Sequence, residues 1–207
     1  MTLAHRPMQR TELETAAGVL SRAFLSNPIF AAALSHIDAG KRLDVLLGIK
    51  RGFVRAALRS QHADVITNDG QVVAAALSCH ASEYPVSLAT MFVQGTGCIV
   101  AGPRALWKFL MANAAVTPRH LTGPHHYLFE LGVDPPMQAK GVGRRLLDVF
   151  CARADREHLP CYLETDRETS MRLYRSVGFA VVGEYDIPRV GDVHMWSLVR
   201  PASAAET

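Results

Sequence analysis

The stretch GVDPPMQAKGVGRRLL, from Gly132 to Leu147, gathers the residue types that hold an anion. A strand-like run ends at Val133 and a helix-like run begins near Gly141. Between them lie Gln138, Ala139, Lys140, Gly141, Val142 and Gly143. A helix N-terminus presents unpaired N–H groups and the positive end of the macrodipole. Glycines let those groups approach a ligand with no Cβ in the way. The combination is an anion site, most often for phosphate, and Lys140, Arg144 and Arg145 add positive charge there. Two phosphate patterns fail. GxGxxG needs a third glycine where this chain has Leu146. The P-loop needs GxxxxGK followed by Ser or Thr, which nothing here fits. What remains is Q-x-x-G-x-G between a strand and a long helix.

Ionisable groups also mark the strand that feeds this turn. Glu130 lies within HYLFELGV, and His125, His126 and Tyr127 stand at its start. Strand side chains alternate, which places Glu130 on one face with Leu128 and Gly132, opposite Tyr127 and Leu131, unless a bulge intervenes. Glu130 is a candidate general base or substrate contact, and otherwise a satisfied strand carboxylate. The two histidines are expected at the surface or behind the residues that touch substrate. Glu164 and Asp166 read as strand-end or capping residues.

The elements that must position these groups follow from periodicity. Leu13, Ala16, Ala17, Leu20, Ala23 and Phe24 recur at helical spacing. They predict a helix over Thr11–Phe24, with Thr11 as N-cap, Glu14 completing a capping box, and Asn27-Pro28 ending it. A second amphipathic helix is predicted over Arg42–Leu58. Asp64–Thr67 and Gln71–Cys79 flank Asn68-Asp69-Gly70, a hairpin signal. The second run is apolar on both faces, as a central strand would be. Helices are predicted over Ser87–Val93 and Pro103–Ala114. A strand over His126–Val133 is stopped by Asp134-Pro135-Pro136. Then come a helix over Gly141–Glu157, a strand over Pro160–Thr165, a short helix over Thr169–Val177 stopped by Gly178, and strands over Phe179–Tyr185 and Val193–Arg200. This order predicts one α/β domain over residues 1–207 with a mixed sheet. It carries a helical insert at 82–124 and a polar tail at 201–207.

Composition bounds the function. The chain has 207 residues, 49% of them hydrophobic and 20% charged. That is enough for one sizeable core, short for two, and unlike a disordered chain. A net charge of +3 suits a small anionic ligand and is too weak to argue for nucleic acid. Cys79, Cys98, Cys151 and Cys161 form no CxxC pair, and no Cys/His spacing matches a zinc site, so no metal is expected. Scattered cysteines read as reduced thiols of a cytoplasmic protein, and the polar start MTLAHRPMQR shows no secretory signal. Tyr84 to Pro103 carries no charge. Its Gln, Thr, Gly and Pro content reads as a buried helix and a Gly-rich turn, so no membrane partner is expected.

The Q-x-x-G-x-G turn resembles the pyrophosphate-binding motif of the GNAT superfamily of N-acetyltransferases, Q/R-x-x-G-x-G/A. LETDRETSMRLYRSVGF, Leu163 to Phe179, resembles that family's strand-then-helix segment, with a tyrosine shortly before Gly-Phe. HHYLFELGVDP and HMWSLVRP look like members related to puromycin acetyltransferase. The resemblance implies a mostly antiparallel twisted sheet with flanking helices, splayed between its two central strands. It implies acetyl-CoA as co-substrate, with its pantetheine arm against the main chain at Leu131, Gly132 and Val133. Its pyrophosphate would lie on the amides from Gln138 to Arg144. Tyr174 maps onto the usual general acid. Ser170 stands where many relatives carry an asparagine that contacts the cofactor, and a hydroxyl reproduces only part of an amide's hydrogen bonding. The implied activity is direct acetyl transfer to an amine of a small molecule or peptide. The alternative is a non-catalytic acyl-CoA sensor. The insert is expected to cover the acceptor side, and a homodimer through the C-terminal strands is left open.

Overall fold

The computed structural model describes residues 2–60, 62–83 and 101–203. Among them, seven strands form one sheet: β1 (Leu3–Pro7), β2 (His62–Asn68), β3 (Gln71–His80), β4 (His126–Val133), β5 (Cys161–Thr165), β6 (Ala180–Ile187) and β7 (Val193–Arg200). The order is β1-β2-β3-β4-β5-β7-β6. Every neighbouring pair is antiparallel except β4 and β5, which run parallel. Asp69 and Gly70 turn β2 into β3 with φ of 48° and 85°, as a two-residue primed turn requires. β3 is buried along nearly all of its length, in keeping with its two-sided apolar sequence.

Helices cover both faces. α1 (Leu13–Phe24) and α3 (Arg42–Ser60) lie on one, where Ala16, Leu20, Val54 and Ala57 pack on Val65, Ala75 and Leu77. α5 (Val142–Arg156) lies on the other, where Leu146, Leu147 and Phe150 pack on Ile66, Ala74, Leu128 and Leu163. Between them in sequence come α2 (Pro28–Ala33) and α4 (Gly102–Val116), and α6 (Glu168–Arg175) follows. α4 belongs to the insert and stacks Ala105 on Leu34, Leu46 and Ile49. The helix expected over Ser87–Val93 lies outside the described residues.

Local differences have local causes. α1 starts at Leu13 after a 3-10 turn over Arg10–Glu12. Glu12, not Glu14, reaches back to accept from the Gln9 N–H at 2.9 Å. Glu14 instead takes the Arg51 guanidinium from α3 at 2.8 Å. The chain also resumes as a helix at Pro28, because the Asn27 side chain caps it, accepting from Phe30 N at 3.3 Å. β1 escaped sequence reading because it is a five-residue edge strand with weak apolar alternation.

The informative irregularity is in β4. Leu77 pairs with Glu130, whereas the next residue, Ser78, pairs with Leu128. Phe129 is therefore an extra residue, a β-bulge that reverses the alternation. Leu128 packs on α5, and so do Leu131 and Val133 beyond the bulge. Glu130 and Gly132 face α1 and α3 instead. Strict alternation put Glu130 with Leu128; the bulge separates them. A Cβ on Gly132 would lie 2.8 Å from Leu20 Cδ2 and 3.1 Å from Ala23 Cβ. Gly132→Ala is thus expected to lower unfolding free energy by about 1–3 kcal/mol in urea titration. An unchanged midpoint would show that α1 can move aside.

Candidate active site

β4 and β5 pair only at His126–Cys161 and Tyr127–Tyr162. Beyond these two steps the strands part, and among the described residues no strand lies beside the β4 edge from Leu128 onward. A cleft of about 420 Å³ opens there. Glu130, Leu131, Gly132 and Val133 line it from β4, and Gln138, Ala139, Gly141, Val142, Gly143 and Arg144 from the turn. Ser170 and Tyr174 line it from α6. Of the residues singled out in the sequence, Lys140 and Arg145 are not part of its wall.

The turn has the backbone geometry of an anion cradle. Ala139 and Gly141 have φ of 59° and 75°, and left-handed residues of this kind gather successive N–H groups into a concavity. Gln138 Nε2 donates to Val133 O at 2.9 Å and ties the turn to the strand it follows. Arg145 N is bonded back to Gly141 O at 3.2 Å. The N–H groups of Val142, Gly143 and Arg144 precede the first helical bond and stay available. Arg144 Nε donates to Asp148 at 2.7 Å and Nη1 to Ser176 at 3.2 Å, linking α5 to α6. Arg145 turns away, toward Leu3 O at 3.4 Å.

Tyr174 stands on the opposite wall, its ring 6.1 Å from that of Phe179. Burial pushes its phenol up to about 12, so the hydroxyl keeps its proton through the physiological range. Beside it, Asp166 accepts from Asn27 Nδ2 at 2.5 Å and from Ile29 N at 2.8 Å. It thereby holds the start of α2 against the end of β5.

Glu130 has a partner that periodicity did not single out. Lys50 on α3 is fully buried and donates to Glu130 Oε1. Its ammonium lies 3.9 Å from the ring centres of both Phe24 and Phe30, a favourable place for a cation. Glu130 Oε2 is buried with no hydrogen-bond partner among the described residues. Burial raises the Glu130 carboxyl above the usual carboxylate range, and the nearby ammonium opposes that rise. One signal for Lys50 was present: it falls on the apolar stripe of α3, between Leu46 and Phe53. His125 and His126, expected at the surface or behind the residues that touch substrate, are both buried, at the paired end of β4 and away from the cleft wall. Cys79, Cys151 and Cys161 are buried free thiols.

The central parallel pair of this open mixed sheet splays beside the glycine turn. The profile of the Acetyltransferase (GNAT) family matches residues 65–179, more than half of the chain, and the chain belongs to that family. Over 75 residues it is 37% identical to the N-alpha-acetyltransferase RimI of Mycobacterium tuberculosis, covering 36% of this chain and 48% of that one. Over another 75-residue match it is 39% identical to an uncharacterized protein of Mycobacterium leprae, covering 36% and 21%. These matches span half or less of either relative. Among solved structures, a protein of Corynebacterium glutamicum described as histone acetyltransferase HPA2 and related acetyltransferase has a TM-score of 0.71 at 21% identity, covering 100% of both chains. The polyamine N-acetyltransferase of Drosophila melanogaster has a TM-score of 0.62 at 18% identity, covering 97% of this chain and 100% of that one. These two likenesses are of fold. No helix among the described residues is long and apolar enough to cross a membrane.

Proposed function

We propose that the protein transfers an acetyl group from acetyl-CoA directly to an amine of a small molecule or peptide. One observation carries this reading: a single cleft holds an unpaired β4 edge, the amide cradle from Gln138 to Arg144 and the Tyr174 hydroxyl. The chain's groups fit CoA by type. The main chain at Leu131, Gly132 and Val133 offers the pairing that the amide-bearing pantetheine arm needs. The N–H groups of Val142, Gly143 and Arg144 suit a pyrophosphate. Ser170 offers one hydroxyl from α6.

The chemistry is attack of an amine nitrogen on the thioester carbonyl carbon. The new C–N bond forms, the C–S bond breaks, and negative charge develops on sulfur. Tyr174 donates a hydrogen bond to that sulfur. A phenol near 12 facing a thiol near 8.5 disfavours full proton transfer by roughly three to four powers of ten. The hydroxyl therefore stabilises the leaving thiolate, and the proton that the thiolate finally takes comes from the nitrogen side. Glu130 Oε2 receives the amine's N–H, because Lys50 occupies Oε1 and leaves Oε2 unsatisfied. Holding both reactants in one cleft replaces a bimolecular encounter with an oriented one. The insert's α4 stacks Phe109 on Phe30 at 5.6 Å, behind the Phe24 wall of the acceptor side. In this reading it tunes acceptor preference from behind.

The test is thiol release from acetyl-CoA against a panel of amines. Peptide N-termini and polyamines come first, since relatives carry those names, followed by aminoglycosides, aminonucleosides and amino acids. Saturable release with one class supports the reading. CoA binding with no release from any amine favours the sensor alternative. The pH profile adds a second check. Glu130 acts as its carboxylate, so kcat/KM is retained above its raised pKa and lost as pH falls through it. That acid limb is expected above the usual carboxylate range. Glu130→Gln is expected to abolish it and to lower kcat/KM by about a hundredfold.

A further inference from the structure

At the closed end of the β4–β5 pair, three elements bring ligating side chains together. His80 ends β3, His126 opens β4, and Glu157 follows α5 directly. One ligand atom from each lies within 4.8 Å of the others. Glu157 Oε2 is 3.2 Å from His126 Nε2 and 3.4 Å from His80 Nε2. The His80 and His126 rings are 4.1 Å apart between centres. His62, at the start of β2, stands 5.9 and 6.5 Å from them.

His126 is the unexplained member. It is fully buried; Nδ1 has no hydrogen-bond partner among the described residues, and Nε2 faces only Glu157 Oε2, at 3.2 Å. A buried polar ring left in that condition is costly. The contacts to Glu157 are longer than the roughly 2.7–2.9 Å of a charge-assisted hydrogen bond. They match another geometry. Ligands about 2.0–2.1 Å from a tetrahedral ion stand roughly 3.3–3.4 Å from each other.

We propose that His80, His126 and Glu157 bind one divalent transition-metal cation, with Zn²⁺ the best match. Two imidazoles and one carboxylate form a borderline donor set that suits zinc better than the all-oxygen preference of calcium or magnesium. His80 also lines a separate cavity of about 330 Å³ with Ser82 and His125. Water from that cavity completes the fourth position. The ligands come from segments tens of residues apart, so no short Cys/His spacing reports them. An ion here pins β3, β4 and α5 together just where the strands are still paired, before they splay. Its role is structural and separate from the cleft.

The test uses untagged full-length protein, stripped with chelator and titrated with Zn²⁺. One saturable equivalent in calorimetry and elemental analysis is expected, with a rise in Tm. Co²⁺ in its place is expected to give the visible bands of a four-coordinate site. Glu157→Gln and His80→Ala lie at partly exposed positions and should leave the fold intact by circular dichroism. Each is expected to weaken Zn²⁺ binding by about a hundredfold or more, since even an outer partner of a ligand is worth about ten- to a hundredfold. No saturable binding to the wild type, or binding by both variants equal to wild type, overturns the assignment.

Discussion

Tyr174→Phe is expected to lower kcat by about a hundred- to a thousandfold, the usual range for losing one hydrogen-bond donor aimed at developing charge. The Kd for CoA should not change. The substitution removes one oxygen and keeps the ring that packs on Phe179. The turn from Gln138 to Arg144 lies on the other wall of the cleft and is untouched. Loss of kcat with KM for acetyl-CoA preserved is the mark of an interaction made only as sulfur becomes charged. The raised pKa adds a second expectation. With the phenol near 12, the alkaline limb of the wild-type profile should not titrate near the ordinary tyrosine value of about 10. A variant that keeps its rate would assign the hydrogen bond at sulfur to water and remove Tyr174 from the chemistry.

Lys50→Met is expected to have the largest effect on stability, about 3–5 kcal/mol in urea unfolding. Methionine still packs against Phe24, Phe30 and Phe53, which surround the ammonium. What it removes is the countercharge to Glu130, only 6% exposed. An uncompensated buried carboxylate is what makes breaking such a pair expensive. The loss should depend on pH in a defined sense. Burial already raises the Glu130 pKa, and Lys50 is the group that opposes the rise. Without Lys50 the folded-state pKa climbs further. Stability is then retained below the unfolded carboxylate value of about 4.3 and lost as pH rises through the folded one. The single variant should therefore be closest to wild type in acid and weakest at neutral pH. Lys50→Met with Glu130→Leu should recover much of the loss, because the charge disappears along with its partner. Simple additivity of the two single substitutions would show that the pair is not coupled in the folded protein.

Short-range rules made much of the site legible. The turn from Gln138 to Gly143 needed only a strand end, two glycines and a helix start, and these choices are decided within a few residues. The hairpin at Asp69-Gly70 and the amphipathic helices are of the same kind. The strand HYLFELGV was legible as well, but not the direction of its carboxylate. Phe129 bulges in the register that β4 takes against β3, and that register is a property of two strands at once. Lys50 illustrates the same limit. A lysine on an apolar stripe becomes affordable only when a distant strand supplies a carboxylate and two phenylalanines supply their faces. His126 read as peripheral because its own segment is polar; folding buries it among His62, His80 and Glu157. The sequence by itself determined most of the described elements, their order and the glycine turn, since each rests on backbone geometry and periodicity over one or two turns of chain; the short edge strand β1 and the short helix α2 were not among them. Only the tertiary structure decided which buried charges meet, where the sheet opens and which face Glu130 takes, because those depend on register and packing between segments that are remote in the chain.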